Sequence, residues 1–336
     1  MLNTTYATLV KLGLIGVCFY LVASSNLVGT FEAELGWGVL VAGLVVQPII
    51  LCCFLVLAMR HVLLVGAPRI SLGVAFRAMA LSLGLNLVLP ARLSELLKAT
   101  YLRDHARVPL SSGVSAVVLE RTVDVLIVAA LGALGVVQYF DRGNFASIPA
   151  LGLGLVVGIF VVVRSPDFVL RLVRAVPSKR LGGFFERAYQ HFSATAGTRA
   201  FWQALLLGAL AWGLSYINIL VFLELAGSLP IGFSGALLVF VLTTLGGAIP
   251  ALPGGLGTYE AAAVIALRAL GYSFDEALVL SLAMHAAQLI LPFVLAVLIM
   301  LTERLGISSL VADLRRSAAI EDASGEGHVK GKVTDD

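Results

Sequence analysis

Six apolar runs constrain this chain more than any other feature. They lie at about 8–26, 38–60, 113–137, 148–164, 201–224 and 274–302. A helix of about 20 apolar residues crosses the ~30 Å hydrocarbon core of a bilayer, and helices satisfy their own backbone polar groups there. Trp37, Tyr139, Phe140 and Trp202 mark the ends of several runs, as interfacial aromatic residues do. Composition agrees. The 336 residues are 59% hydrophobic and 13% charged, with a mean hydropathy of +0.99. Soluble domains are about one quarter charged, so a soluble enzyme, a disordered chain and a fibrous protein are all excluded. The expected fold class is an all-α polytopic membrane protein.

Two further apolar stretches, about 72–90 and 232–250, are broken by proline and glycine and followed by short amphipathic runs. Basic residues accumulate on cytoplasmic loops, which decides how these stretches lie. If both dip into the membrane and return to the side they entered, then 60–77, 92–107, 164–199 and 303–336 share the cytoplasmic side. Those segments hold 19 of the 23 lysines and arginines. Full spans would split the clusters. The expected organisation is therefore six transmembrane helices plus two re-entrant helical hairpins, about 72–106 and 232–271, with both termini cytoplasmic. The integral membrane domain covers 1–305 and a polar, largely disordered tail covers 306–336. The hairpins enter from opposite sides, which suggests an inverted repeat, and chance similarity of two proline-broken segments is the alternative. Pro90-Ala-Arg-Leu-Ser-Glu95 parallels Pro253-Gly-Gly-Leu-Gly-Thr-Tyr-Glu260. Ser94 and Thr258 sit where a helix N-cap is wanted. Glu120 follows Glu95 by the same interval, 25 residues, that separates His285 from Glu260.

The loop 164–200 is basic, and Phe184, Phe185, Ala188, Tyr189 and Phe192 recur at helical spacing. It reads as an amphipathic helix on an anionic inner leaflet or packed on the bundle. Cys18, Cys52 and Cys53 lie in apolar runs and serve as small hydrophobes. No disulfide framework, metal site or cofactor is expected. No small-x-small pattern follows the first apolar run, so no cleavable signal peptide is expected.

Ionisable residues at membrane depth are costly, which makes them functional candidates. Arg92 and Glu95 flank a proline break, with Lys98 one turn on. Free N–H groups at such a helix start attract anions and Arg92 adds a bidentate donor, against the alternative of an ordinary turn with a surface ion pair. Glu120 and Asp124 share a face of a long helix, and Arg121 can bridge to either. The competing reading is a structural ion cluster snorkelling to water. In the segment from Pro250 to Glu260, the prolines and glycines cannot continue a helix. Such backbone is tolerated at membrane depth only beside protein or water, and Gly254, Gly255 and Gly257 let backbone approach a ligand. The helix after it, about 258–270, would point its positive end at the midplane. A tight external loop is the alternative. His285, near Gln288, is a possible proton carrier or a hydrogen-bonded packing residue.

Pro90-x-Arg92-x-x-Glu95, Glu120-Arg121-x-x-Asp124 and Pro253-Gly-Gly-Leu-Gly-x-x-Glu260, in that order, resemble the flippase-like family, the transmembrane region of lysylphosphatidylglycerol synthases. The resemblance spans about 1–305, with Ser94 where the family usually has glycine. It implies a multi-pass protein of the bacterial cytoplasmic membrane that moves lipids or glycolipids between leaflets, often beside lipid-modifying enzymes. The aminoacyl-transfer domain of bifunctional members does not follow, so lysyl transfer is not implied.

Three readings stand on this basis. The first is a lipid translocator, a transporter and not an enzyme. In it Arg92 and Arg121 engage an anionic headgroup, Gly254, Gly255 and Gly257 offer backbone donors, and Glu95, Glu120, Asp124 and Glu260 balance charge. The second is an intramembrane enzyme acting on a headgroup. The third is a non-transporting partner that docks a lipid-modifying enzyme or glycosyltransferase through loop 164–200. The expected partner is a membrane lipid, with no nucleic acid.

Overall fold

The computed structural model describes residues 36–66, 70–89, 93–139, 194, 198–249 and 252–306. These residues are helical, with short connections. The expected spans 8–26 and 148–164, nearly all of loop 164–200, and the tail lie outside them. The long helices are α1 (Gly36–Val65), α4 (Leu110–Tyr139), α5 (Arg199–Ala226) and α8 (Phe274–Glu303). The short ones are α2 (Leu72–Leu85), α3 (Leu93–Ala106), α6 (Gly232–Ala248) and α7 (Thr258–Ala269). Among the described residues, α1, α5 and α8 are long and apolar enough to cross a membrane.

Local chemistry sets the helix starts. Ser71, Thr198 and Ser273 each accept the backbone N–H three residues on, at 3.3, 3.3 and 3.2 Å. Glu276 reaches back to the Ser273 N–H at 3.0 Å, completing a capping box. Two expected caps differ. Thr258 is the first residue of α7, and Gly257 is the N-cap. Gly257 has positive φ, a conformation that threonine's β-branch disfavours. Ser94 lies inside α3, which begins at Leu93. Its hydroxyl donates to Asn86 Oδ1 at 3.3 Å instead of capping.

The two broken stretches form antiparallel helix pairs, α2–α3 and α6–α7. They open toward opposite ends of the bundle. At the base of the first, Arg77, Tyr101 and His105 gather around Glu303, at the end of α8. At the base of the second, Ser228 donates to Glu276 at 2.6 Å and Tyr272 to the Leu229 carbonyl at 2.9 Å, beside the start of α8. Gly84, near the tip of the first pair, packs against Pro292. Glu260, at the tip of the second, meets His285. At about 1.5 Å per residue, Pro292 and His285 each stand about 16 Å from the nearer end of α8. The tips touch: the Gly254 N–H donates to the Asn86 carbonyl at 2.9 Å.

Neighbour relations repeat between the halves. α1 packs on α5, α2 on α8, and α6 on α4, so each half's first short helix lies against the other half's last long one. The core accordingly divides into two clusters. One is built mainly on α1, α5, α6, α7 and α8, the other mainly on α1, α2, α3, α4 and α8.

Candidate functional site

Helices α1–α5 enclose a cavity of about 190 Å³. Its charged lining is Arg60 from α1, Glu95 and Lys98 from α3, and Glu120, Arg121 and Asp124 from α4. Asn86, Ser94, Trp212 and Ser215 add neutral polar groups, and Cys53 a thiol. Glu120 lies ten residues into α4, or about 15 Å along its axis, and is fully buried.

Burying an ion costs several kcal/mol unless it is paired and hydrogen-bonded. Here each acid has cationic partners. Glu120 lies between Lys98 Nζ at 2.5 Å and His61 Nδ1 at 2.7 Å. Asp124 takes both terminal nitrogens of Arg60, at 2.6 and 3.5 Å. It also accepts the Trp212 indole N–H at 3.0 Å and lies 3.4 Å from Arg121. Glu95 lies 3.3 Å from Arg121 Nε. The six charges lining the cavity cancel in sign. Deep pairs are short and shielded. The Arg121 pairs are longer, and its side chain is 42% exposed, which places Arg121 at the mouth.

Three buried nitrogens of this network have no hydrogen-bond partner among the described residues: Arg60 Nε, His61 Nε2 and Arg121 Nε. Such a donor costs free energy unless something satisfies it. Arg60 lines the cavity.

A second cluster lies across the tip contact. Glu260 Oε1 is 2.6 Å from His285 Nδ1, and Oε2 accepts the Gly257 N–H at 2.6 Å. The Tyr259 ring stacks on His285 with centroids 4.0 Å apart, and the Gln288 amide donates to the Tyr259 hydroxyl at 2.9 Å.

Of the sequence-predicted residues, the fold brings Glu95, Glu120, Arg121 and Asp124 together in the cavity. Arg121 bridges to Asp124, on the next turn, and to Glu95. Glu260, Gly254, Gly255, Gly257 and His285 lie outside its lining, in the second cluster. The three glycine N–H groups, expected as ligand donors, are used within the protein. They bond to the Asn86 and Leu252 carbonyls and to Glu260. Arg92 lies outside the described residues.

Arg60, His61 and the role of Lys98 escaped the sequence reading. Arg60 and Lys98 belong to segments assigned to the basic cytoplasmic flanks, yet each is 2% exposed. Carboxylates on α4 draw them inward. The available signal was the pair of uncompensated acids, which required cations from another helix.

No curated protein and no solved structure gives a significant match. The family model described as the lysylphosphatidylglycerol synthase TM region matches residues 8–296, which include every element of both clusters. The chain belongs to that lysylphosphatidylglycerol synthase transmembrane-region family.

Proposed function

We propose that this protein moves a lipid between the leaflets of the membrane in which it lies, holding the headgroup in the charged cavity while the acyl chains stay in the bilayer. The carrying observation is the cavity itself: a partly open pocket lined by three cations and three carboxylates, one of the cations half-exposed at its mouth. Structural ion pairs alone need no such space. The charged lining suits a polar headgroup and disfavours acyl chains.

In this reading the chain has six spans, two re-entrant hairpins and an inverted-repeat plan, with both termini cytoplasmic. Such broken helices commonly meet at the substrate site of transporters. Arg121 swings from Glu95 to the headgroup phosphate, and Arg60 donates its free Nε from below. Glu95, released, accepts any cationic part of the headgroup. Lys98 and His61 hold Glu120 so that the chamber floor keeps its charge balance. Arg92, three residues before Glu95 in the sequence, joins Arg121 as a phosphate donor in this reading. The protein acts as a transporter and not as an enzyme.

The test uses proteoliposomes containing nitrobenzoxadiazole headgroup-labelled phosphatidylglycerol or phosphatidylethanolamine, with dithionite bleaching of the outer leaflet. Wild-type protein should expose inner-leaflet label beyond the protein-free rate, and Arg121→Ala should lower that excess. Equal rates with wild type, folded Arg121→Ala and empty vesicles, for both probes, would remove the translocator reading.

A further inference from the structure

The second cluster is not used by the lipid site, and its arrangement calls for a separate account. Among the described residues, two histidine–glutamate pairs are buried. In the first, Glu120 also holds Lys98, so its charge stays compensated whatever the state of His61. In the second, Glu260 has His285 as its ionic partner. The elements around it carry little else that titrates. On α7 the neighbour is Tyr259, while Arg268 points away and donates to the Tyr272 carbonyl. α6 contributes Thr243, facing the Tyr259 hydroxyl, and has no charged residue along its length. α8 contributes Gln288, its carboxylates lying at the helix ends. α1 contributes Gln47, bonded to the Ala287 carbonyl. A proton gained or lost here therefore changes the charge of an otherwise neutral, buried site.

The cluster is also tied to the cavity. Glu260 fixes the Gly257 N–H at 2.6 Å. Gly257 ends a segment with positive φ at Gly254, Gly255 and Gly257, which substituted residues rarely adopt. Gly254 holds the Asn86 carbonyl at 2.9 Å. Asn86 in turn accepts the Ser94 hydroxyl at 3.3 Å, and Asn86 and Ser94 line the cavity.

We propose that Glu260 and His285 form a proton-binding site that sets the geometry of the charged cavity through the contact between the two tips. With the site protonated, imidazolium and carboxylate neutralise one another and the tip is held against Asn86. Loss of the proton from His285 leaves Glu260 as an uncompensated buried charge. A buried carboxylate without a cation is costly, so Glu260 turns to water, the Gly257 bond opens and the tip withdraws. The chemical step is one proton passing from imidazolium to bulk water. The inference goes beyond the lipid reading and does not depend on it.

A lipid-free measurement tests it. The chain has three tryptophans, and Trp37 and Trp202 are exposed. Replacing both with phenylalanine leaves Trp212, whose indole N–H sits in the cavity on Asp124. In detergent, Trp212 emission should shift to the red as pH is raised from acidic to alkaline. Glu260→Gln and His285→Gln, each in that background, should lose the shift, while His61→Gln should keep it. No shift in the parent, an unchanged shift in both tip variants, or a shift lost only with His61→Gln would each overturn the proposal. The glutamine replacements keep size and hydrogen bonding. Should one variant fail to fold, the other decides.

Discussion

Arg60 and Asp124, on the first and fourth described helices, form a bidentate pair at 2.6 and 3.5 Å with Arg60 almost wholly buried. The pair joins α1 to α4, which also carries Glu120 and Arg121. It also leaves Arg60 Nε without a hydrogen-bond partner. Arg60 therefore ties two helices together inside the bilayer-spanning bundle.

Removing one partner of a buried pair leaves a stranded charge, at about 3–5 kcal/mol. Lys98→Ala should therefore destabilise the protein by that order, because Glu120 would keep only His61. Lys98→Met with Glu120→Gln should recover most of the loss. Thermal unfolding in detergent, followed by loss of monomer on size-exclusion chromatography, reads both. A single variant as stable as wild type would show that Glu120 and Lys98 are not buried together.

Arg121 should behave differently. Its side chain is 42% exposed and its contacts exceed 3.2 Å, so Arg121→Ala should cost no more than about 1 kcal/mol of stability. Lipid transfer should nonetheless fall about tenfold or more, since one charge-assisted hydrogen bond to the ligand is worth about 1.5–3 kcal/mol. Arg121→Lys should recover part of the activity, keeping charge but losing the bidentate fork. Dithionite bleaching and thermal unfolding on the same samples provide the comparison. Loss of stability matching the loss of transfer would assign Arg121 to structure instead.

Gly84 is required by close packing. A Cβ there would clash with the Pro292 carbonyl and the Ala296 side chain. Gly84→Ala should destabilise by about 1–3 kcal/mol, the usual cost of overpacking, and loosen the first tip. Gly73, on the same helix, faces only Ser71 Oγ at 3.9 Å. Gly73→Ala should be neutral or stabilising by up to about 1 kcal/mol. Equal effects at the two positions would contradict the α2–α8 approach.

Glu303 gathers the base of the first helix pair. It accepts Tyr101 at 2.8 and 2.9 Å and lies 3.2 Å from Arg77. Because Arg77 is over half exposed, its share is small and screened by salt. Glu303→Gln should cost about 1 kcal/mol and raise amide exchange in α2 and α3 more than in α6 and α7. Uniform exchange changes in both helix pairs would refute a local clamp.

The chemistry of α4 was legible because helical spacing alone puts Glu120 and Asp124 on one face. Arg121 was likewise placed correctly beside Asp124. The apolar runs located α1, α5 and α8 to within a few residues, since span length follows from hydrophobicity alone. The partners were not legible. Arg60 and His61 end an apolar run, where basic residues ordinarily mark the membrane edge. Lys98 looks like a residue of an exposed amphipathic turn. Their burial depends on which helices become neighbours, a tertiary fact. The same holds for the glycines near 254. Their backbone freedom was readable, but that their N–H groups serve the tip contact and Glu260 required the fold. The shared 25-residue interval, read as a trace of a repeat, spans a contacting pair in the second half, Glu260 and His285. In the first half, by contrast, Glu95 meets Arg121, one residue beyond the position the interval marks.

The make-up of the cavity, with Arg121 at its mouth, reaches past the site itself. A cavity with a charged lining discriminates by what it holds. In the proposed function the acyl chains stay outside that cavity, so it does not read their length or unsaturation. Turnover by such a protein would follow headgroup chemistry and membrane fluidity. A cell that remodels its fatty acids as temperature changes could keep using the same copy of this chain.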